Sequence, residues 1–187
     1  EMNSLQISVI IPVFNAARFV EQAVESALAQ PETAEVILIE DGSSDDSFAV
    51  CQVLAEKYDK VCLLRHPDGK NHGAAASRNL GMKHAKYDYI AFLDADDYYL
   101  LGRFKASKEI FKDDPDCDGV YEAIGTYVED DESRERWLKS REMQSELITM
   151  TKTVTPSQLL EMLVMGGAGY FHLDGFTFKR SLIDKTG

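Results

Sequence analysis

The sequence predicts an α/β fold with a mostly parallel, doubly wound central sheet. Short apolar runs rich in β-branched residues alternate with amphipathic or small-residue segments through the first half of the chain. Several of these runs end in polar residues, as expected where buried parallel strands open to solvent at their carboxyl ends. Strands that alternate with helices imply right-handed crossovers, which place helices on both faces of the sheet.

The first two strands are predicted from runs of branched apolar residues. The run over residues 7–11 ends at Pro12, and the run over residues 36–39 ends in a polar turn. Between them, residues 19–28 carry apolar side chains at three-and-four spacing, which predicts a helix that Pro31 ends.

The next elements continue the alternation. Apolar residues over 48–58 predict a second helix, and residues 61–64 and 89–93 predict the third and fourth strands. The segment 73–82 is rich in glycine and alanine, so we expect a helix that packs closely against its neighbours.

The second half predicts fewer regular elements. We expect a helix over residues 100–111, a strand over 119–124, a strand over 176–179 and a last helix that begins at Ser181.

Three segments between these elements are less regular. The charged segment 129–144 contains Trp137 and predicts either a mobile loop or an exposed helix. Residues 156–165 predict a short helix with Thr155 as its N-cap. Residues 166–169, which are three glycines and an alanine, predict a flexible joint.

Charge and composition exclude several classes of protein. The chain has 187 residues, a net charge of −12 and a pI near 4.7. An acidic surface does not attract nucleic acid or an anionic membrane, although a local metal can still recruit a phosphorylated small molecule. No apolar stretch approaches the ~20 residues that cross a bilayer, so we expect no transmembrane segment.

The cysteines and the start of the chain predict a cytoplasmic protein. Cys51, Cys62 and Cys117 are odd in number and lack C-x-x-C spacing, which argues against a disulfide framework or a zinc site. The first residues lack the basic and apolar regions of a signal peptide. A peripheral position at the inner membrane face is the second option for the full-length protein.

The most informative motif is an acidic cluster directly after the fourth strand. Asp94, Asp96 and Asp97 follow the apolar run over 89–93. Crowded like charges are costly unless a cation meets them, and a hard divalent metal shared with a phosphate is the natural partner. The alternative is a solvated acidic turn in which Asp97 caps a helix.

Polar residues elsewhere are expected to share the same crevice. Residues 12–14 offer an apolar wall and free backbone groups to a nucleobase, and Asp41 can accept a hydrogen bond from a base or a ribose. Gly42 would let the ligand approach closely, and Arg78 can bind a phosphate or base oxygen. The structural alternatives are a capping turn at Asp41 and a surface arginine at Arg78.

Other site types lack their motifs. The sequence has no G-x-G-x-x-G after the first strand, no Walker A lysine loop and no G-x-S-x-G elbow. The four histidines show no metal-ligand spacing among themselves.

Four stretches of this sequence resemble the family 2 glycosyltransferases. They occur in the family's order and at its usual separations, and they are residues 8–15, 36–45, 71–81 and 89–97. The resemblance implies the GT-A fold, a Rossmann-like three-layer αβα sandwich with a mostly parallel central sheet. It further implies a single domain, with residues 1–100 as the nucleotide-sugar half and 101–187 as a partial acceptor half.

The resemblance also implies a reaction. The family transfers a sugar from a nucleotide diphosphate donor, here expected to be a UDP-sugar, with inversion at the anomeric carbon. Mg²⁺ or Mn²⁺ would assist, and the acceptor would be a saccharide or a lipid-linked molecule in polysaccharide or glycoconjugate synthesis. The candidate nucleotide-binding residues are Pro12, Val13, Phe14, Asn15, Asp41, Gly42, Gly73, Arg78, Asp94 and Ala95, and the candidate metal ligand is Asp96.

The family's motifs leave the catalytic base unassigned. By motif, Asp41 would bond uracil and Asp94 would approach the ribose. The base would follow the segment that matches residues 178–187, so we expect it beyond Gly187 and expect a truncated N-terminal catalytic domain that binds nucleotide but catalyses poorly. The alternative function is a non-catalytic nucleotide-sugar-binding domain. A nucleotidyltransferase is disfavoured because residues 14–18 lack a glycine-rich, basic loop.

Overall fold

The computed structural model describes residues 5–128, 130–140, 147–148, 155, 157–158, 161 and 172–186. The chain forms two compact units. The larger consists of Glu1–Tyr121 with Phe176–Gly187, and the smaller consists of Glu122–Gly175.

The larger unit contains the central sheet and the helices that cover it. Its strands are β1 (Ile7–Val13), β2 (Thr33–Glu40), β3 (Val61–Arg65), β4 (Tyr89–Phe92), β5 (Gly119–Tyr121) and β8 (Phe176–Lys179). Its helices are α1 (Val20–Leu28), α2 (Ser47–Lys57), α3 (Ala74–His84), α4 (Lys105–Asp113) and α6 (Ser181–Thr186).

The sheet is mostly parallel, as the sequence predicts. Its strand order is β3-β2-β1-β4-β8-β5. The first four strands in this order run parallel, whereas β8 is antiparallel to both β4 and β5.

Two apolar clusters make the three-layer arrangement. On one face, Val24 of α1 and Leu54 of α2 pack with Val9 of β1. On the other face, Leu80 of α3 and Ile183 of α6 pack against the remaining apolar side chains of the strands.

The close packing predicted for α3 is confirmed at Gly81. A Cβ atom at this position would lie 2.4 Å from Cγ2 of Ile10. The helix can therefore approach β1 only because residue 81 has no side chain.

The first strand runs past Pro12, where the sequence predicts its end. The Ile10 carbonyl accepts from the Leu93 amide, so Ile10 faces β4, and Pro12 two residues later faces the same side. The pairing between β1 and β4 stops at Ile10. The missing amide of proline therefore costs no ladder hydrogen bond, and β1 continues to Val13 along β2.

The prediction of a helix over 100–111 is wrong at its start. Gly102 has a φ of +80°, which a right-handed helix does not contain, and α4 begins only at Lys105. The buried Gln30 side chain accepts from the amides of Gly102 and Arg103 and donates to the Leu100 carbonyl. A side chain from the end of α1 thus holds this segment as a turn.

The predicted strand over 119–124 is two strands. Pairing with β8 ends at Tyr121. In the smaller unit, β6 (Ile124–Gly125) pairs with β7 (Leu147–Ile148) in a separate antiparallel sheet.

The smaller unit contains helix α5 (Asp131–Ser140), which decides between the two alternatives for the charged segment in favour of a helix. The Gln158 amide donates to Thr155 Oγ1, as predicted for an N-cap. Most of the helix expected over 156–165, and the joint expected over 166–169, lie outside the described residues. Within the described ranges, every helix is too short or too polar to span a membrane.

Candidate functional site

A cavity of about 450 Å³ lies at the carboxyl edge of the sheet in the larger unit. It is lined by residues at or just after the carboxyl ends of β1, β2 and β4, so these three strand ends converge as expected. All the candidate residues except Gly42 line it, namely Pro12, Val13, Phe14, Asn15, Asp41, Gly73, Arg78, Asp94, Ala95 and Asp96.

Hydrogen bonds tie the segment after β1 to the segment after β2. Asn15 has a φ of 52°, a left-handed conformation that asparagine tolerates better than most residues. Its amide donates to Ser43 Oγ at 3.0 Å, and its side-chain oxygen accepts from the Ser44 amide at 2.9 Å. The Ala16 amide donates to Ser47 Oγ at 2.9 Å. This wall of the cavity is therefore fixed before any ligand binds.

Asp45 completes that junction at the start of α2. Its carboxylate accepts from the Ser47 hydroxyl and amide and from the Ala17 amide. The hydrogen bond from the Ser47 hydroxyl is the main reason that the pKa of Asp45 is lowered from its ordinary value. Asp45 is charged at neutral pH and joins both segments to the helix.

Asp41 fastens the loop that precedes α3. It is 2% exposed, and its two carboxylate oxygens accept from the amides of His72 and Gly73, each at 2.8 Å. A carboxylate oxygen has two lone pairs, so Oδ2, which accepts from Gly73, can still accept a second hydrogen bond from a ligand in the cavity.

Gly42 packs against the backbone of the same loop and does not line the cavity. Its φ is +71°, and a Cβ atom there would lie 2.7 Å from the Asn71 nitrogen and 2.8 Å from the Lys70 carbonyl carbon. The sequence predicts that the absence of a side chain at Gly42 lets a ligand approach closely. In the structure the backbone of the loop fills that space.

Two histidine rings lie next to each other beside Asp41. The His66 and His72 rings lie 4.3 Å apart, and His66 Nε2 lies 3.5 Å from Asp41 Oδ1. His72 Nε2 lies 2.8 Å from Asp68 Oδ1, and this hydrogen bond is the main cause of the lowered pKa of Asp68. The spacing of the histidines along the sequence gave no indication of this pair.

Arg78 is the cation that meets the acidic cluster. Its guanidinium forms an ion pair with Asp94 and lies over the Phe92 ring, 5.8 Å from the centroid. The Arg78 side chain is 14% exposed, and its buried Nε has no hydrogen-bond partner among the described residues. The charge of Asp94 is thus compensated by the protein itself.

Asp96 differs from Asp94 because it is exposed at the cavity. Asp97 is also exposed, but it does not line the cavity, and its amide donates to the Asp94 carbonyl within a turn. The alternative in which Asp97 caps a helix is wrong, since α4 begins at Lys105 with Phe104 at the N-cap position.

The donor set at this edge fits a hard divalent cation. Asp96 presents an exposed carboxylate, and Asp94, which is paired through Oδ1 with Arg78, remains partly exposed. Carboxylate oxygens are the ligands that Mg²⁺ and Mn²⁺ prefer, and the open cavity leaves room for the oxygens of a phosphate.

The sequence reasoning missed four lining residues, which are Ala16, Phe19, Asn71 and Ala74. Phe19 belongs to the apolar pattern of the first helix, yet it is 44% exposed and borders the cavity beside Phe14, which is 50% exposed. Helical periodicity does not separate such a residue from a core residue.

This sheet, and a cavity with an arginine and clustered acids at its carboxyl edge, define an α/β protein with a candidate ligand site at the strand ends. The chain belongs to glycosyl transferase family 2, whose family model matches residues 8–187.

One relative is an uncharacterized glycosyltransferase of Haemophilus influenzae. It is 43% identical over 98 residues, which are 52% of this chain and 38% of that protein. In each of eight curated relatives, the segment that matches this chain covers at most 40% of that relative's own length.

Solved structures share the fold at low identity. S. aureus TarS 1-349 in complex with UDP-GlcNAc aligns with a TM-score of 0.65 at 19% identity, over 96% of this chain and 47% of that one. The mannosyltransferase PcManGT from Pyrobaculum calidifontis in complex with GDP-Man and Mn²⁺ aligns with a TM-score of 0.59 at 18% identity, over 97% and 46%. The predicted GT-A fold is confirmed by these likenesses.

Proposed function

We propose that the cavity binds the nucleoside diphosphate of a sugar donor, and that the chain is the donor-binding part of a metal-dependent, inverting glycosyltransferase. The observation that carries this proposal is the convergence of three strand ends on one cavity that contains Arg78 and the exposed carboxylate of Asp96. Membership of glycosyl transferase family 2 supports it.

The base of the nucleotide would lie against the wall after β1. Pro12 and Phe14 offer apolar surface, and the buried carboxylate of Asp41 can accept a hydrogen bond from a base N–H. Uracil has such a group, and TarS is a structural neighbour whose complex contains UDP-GlcNAc. A UDP-sugar is therefore our proposed donor.

The diphosphate would lie towards the end of β4. Asp96, with Asp94 beside it, would hold Mg²⁺ or Mn²⁺, which supplies positive charge that stabilises the departing diphosphate. PcManGT is a neighbour whose complex contains Mn²⁺. Arg78 fixes the orientation of Asp94 and adds a cation whose Nε still lacks a partner among the described residues.

The acceptor side of the proposal stays a prediction. Inversion requires a carboxylate base that deprotonates the acceptor hydroxyl on the face of the sugar opposite the leaving group. The identity of this base and a saccharide or lipid-linked acceptor are expectations from the family resemblance.

The proposal is tested by thermal unfolding with UDP, with Mn²⁺ and with both together. Ligand at about a hundredfold excess over its Kd stabilises by about 2.7 kcal/mol, which raises the Tm by roughly 5–10 °C for a chain of this size. We expect a shift of this order with both ligands and a much smaller shift with either alone.

Asp96→Asn removes an exposed carboxylate that lines the cavity. Its matched control is Asp59→Asn, which removes an exposed carboxylate just after α2, away from the cavity lining. Asp96→Asn should abolish the joint effect, and Asp59→Asn should retain it. A full joint shift in Asp96→Asn would show that the metal assignment is wrong, and no response to any ligand would remove the donor site.

A further inference from the structure

A second and larger cavity lies at the opposite edge of the sheet. Its volume is about 1070 Å³, and all the residues that line it belong to the larger unit. It is bordered by residues 86–89, which lead into β4, and by residues 179–181, which follow the antiparallel strand β8. This amino-edge groove shares no residue with the donor cavity.

Cations dominate the lining of the groove although the chain as a whole is acidic. Five basic side chains line it, against the two carboxylates of Asp88 and Asp184. The basic residues are Lys86, Lys108, Lys112, Lys179 and Arg180. In a chain with a net charge of −12, such a local excess of positive charge marks a surface suited to an anion.

Two of these cations have no carboxylate partner within the described residues. Lys179 Nζ donates to the uncharged Pro115 carbonyl, and Lys112 makes no hydrogen bond or ion pair there. Arg180 lies 3.9 Å from Asp88, an 84% exposed side chain that holds it loosely. At least two positive charges are therefore available to a ligand in the groove.

The charges of the other two lysines are partly offset by buried glutamates. Lys108 Nζ lies 3.3 Å from Glu32 and Lys86 Nζ lies 3.9 Å from Glu35. Both glutamates are buried and neither lines the groove, so they offset the charges of these two lysines and leave Lys112 and Lys179 as the main cations for a ligand.

Aromatic residues form the apolar part of the lining. Tyr87, Tyr89 and Phe111 contribute to it, and the rings of Tyr89 and Phe111 lie 4.6 Å apart. Aromatic rings offer a flat surface on which a planar or apolar group can stack. The groove thus combines cations for a phosphate with an apolar surface for the organic group that carries it.

We propose that the amino-edge groove is a second ligand site, which binds a small organic phosphate. The phosphate would meet Lys112 and Lys179, and the organic group would lie on Tyr87 and Phe111. The site shares no residue with the donor cavity, so a ligand can bind there without the donor.

The test is calorimetric titration of the full chain with phenyl phosphate in the presence of EDTA, which keeps divalent metal away from the donor cavity. We expect saturable binding that is at least tenfold tighter than that of inorganic phosphate. Lys112→Ala and Lys179→Gln should each weaken it by about tenfold. Lys105→Ala is the matched control, because Lys105 is exposed on the same helix α4 but lies outside the lining.

Three results would overturn the proposal. They are the absence of saturable binding, equal affinity for phenyl phosphate and inorganic phosphate, and unchanged affinity in both Lys112→Ala and Lys179→Gln while their Tm values match the parent chain. Sedimentation with vesicles of phosphatidic acid and phosphatidylcholine separates the two sources of an organic phosphate. Binding to vesicles without binding to free phenyl phosphate would show that the ligand is a membrane lipid headgroup and not a small molecule.

Discussion

At the scale of single residues, Asp41 and Gly42 show how one turn prepares the donor cavity. Asp41 accepts from two amides of the loop before α3, and Gly42 makes room for the backbone of the same loop. The polar groups that line the cavity are thereby held in place in the absence of ligand. We infer that these residues position the site as well as border it.

The close packing of Gly42 against the loop backbone gives a prediction about the free energy of unfolding. Gly42→Ala introduces a Cβ atom 2.7 Å from the Asn71 nitrogen at a left-handed φ, so backbone strain and steric overlap add. We expect the free energy of unfolding in urea to fall by about 2–4 kcal/mol.

Gly69→Ala is the matched control for Gly42→Ala. Gly69 has a similar φ of +66°, but the nearest atom to a Cβ there is 3.9 Å away at the flexible end of Arg65. We expect a loss of only about 1–2 kcal/mol from the backbone conformation. Equal losses in the two variants would show that the packing of Gly42 against the loop is unimportant.

Motifs predict which residues gather at the cavity much better than they predict the contacts of each residue. The stretches that contain Asp41, Arg78 and Asp94 stand at strand or helix ends, and topology alone brings such ends together. The amide partners of Asp41 and the pairing of Arg78 with Asp94 depend on loop conformation and on rotamers. No periodicity in the sequence encodes those details.

At the scale of elements, the segment between β4 and α4 is shaped by Gln30. This side chain is almost fully buried and makes four hydrogen bonds, to Ser26, Leu100, Gly102 and Arg103. Residues 100–103 have an apolar pattern that predicts helix, and the tertiary contact with Gln30 overrides it. Local patterns cannot reveal a partner about seventy residues away along the chain.

Replacing Gln30 tests this account of the turn. Gln30→Met keeps most of the volume but removes the hydrogen bonds, so the amide of Gly102 loses its side-chain partner and the amide of Arg103 keeps only the Leu100 carbonyl. We expect a loss of about 1–3 kcal/mol in the free energy of unfolding and faster amide exchange at both residues.

Gln52→Met is the control for this substitution, because Gln52 is exposed on α2. It should change neither quantity. Unchanged exchange at Gly102 and Arg103 in Gln30→Met would show that the turn does not need the side chain.

At the scale of the whole molecule, the strand that completes the sheet comes from the end of the chain. β8 lies between β4 and β5 and pairs with both, although the whole smaller unit separates it from them in sequence. The larger unit is therefore discontinuous in sequence. Its folding requires that residues far apart along the chain meet.

This arrangement predicts different effects for two shortened chains. A chain that ends at Gly175 lacks β8 and leaves β4 and β5 without their common neighbour, so we expect loss of cooperative unfolding in urea. A chain that ends at Arg180 retains β8 and loses only the residues of α6, so it should still unfold cooperatively. Cooperative unfolding of the shorter chain would contradict the central role of β8.

The sequence predicts the four parallel strands of this sheet well because each of them contains a mostly apolar run. It predicts the position of β8 less well, since a run of four residues at 176–179 does not reveal which strands it joins. Strand order across a long insertion is set by packing in three dimensions, which composition and periodicity do not record.

The central claim is that three separate strand ends form one donor cavity, and the most direct measurement is the change in amide NMR shifts when UDP and Mg²⁺ are added together. We predict that shifts change at Val13, Asp41 and Asp96, which lie at the three converging strand ends, and stay constant at Lys112 in the amino-edge groove. Changes confined to one region, or changes only at Lys112, would contradict the claim.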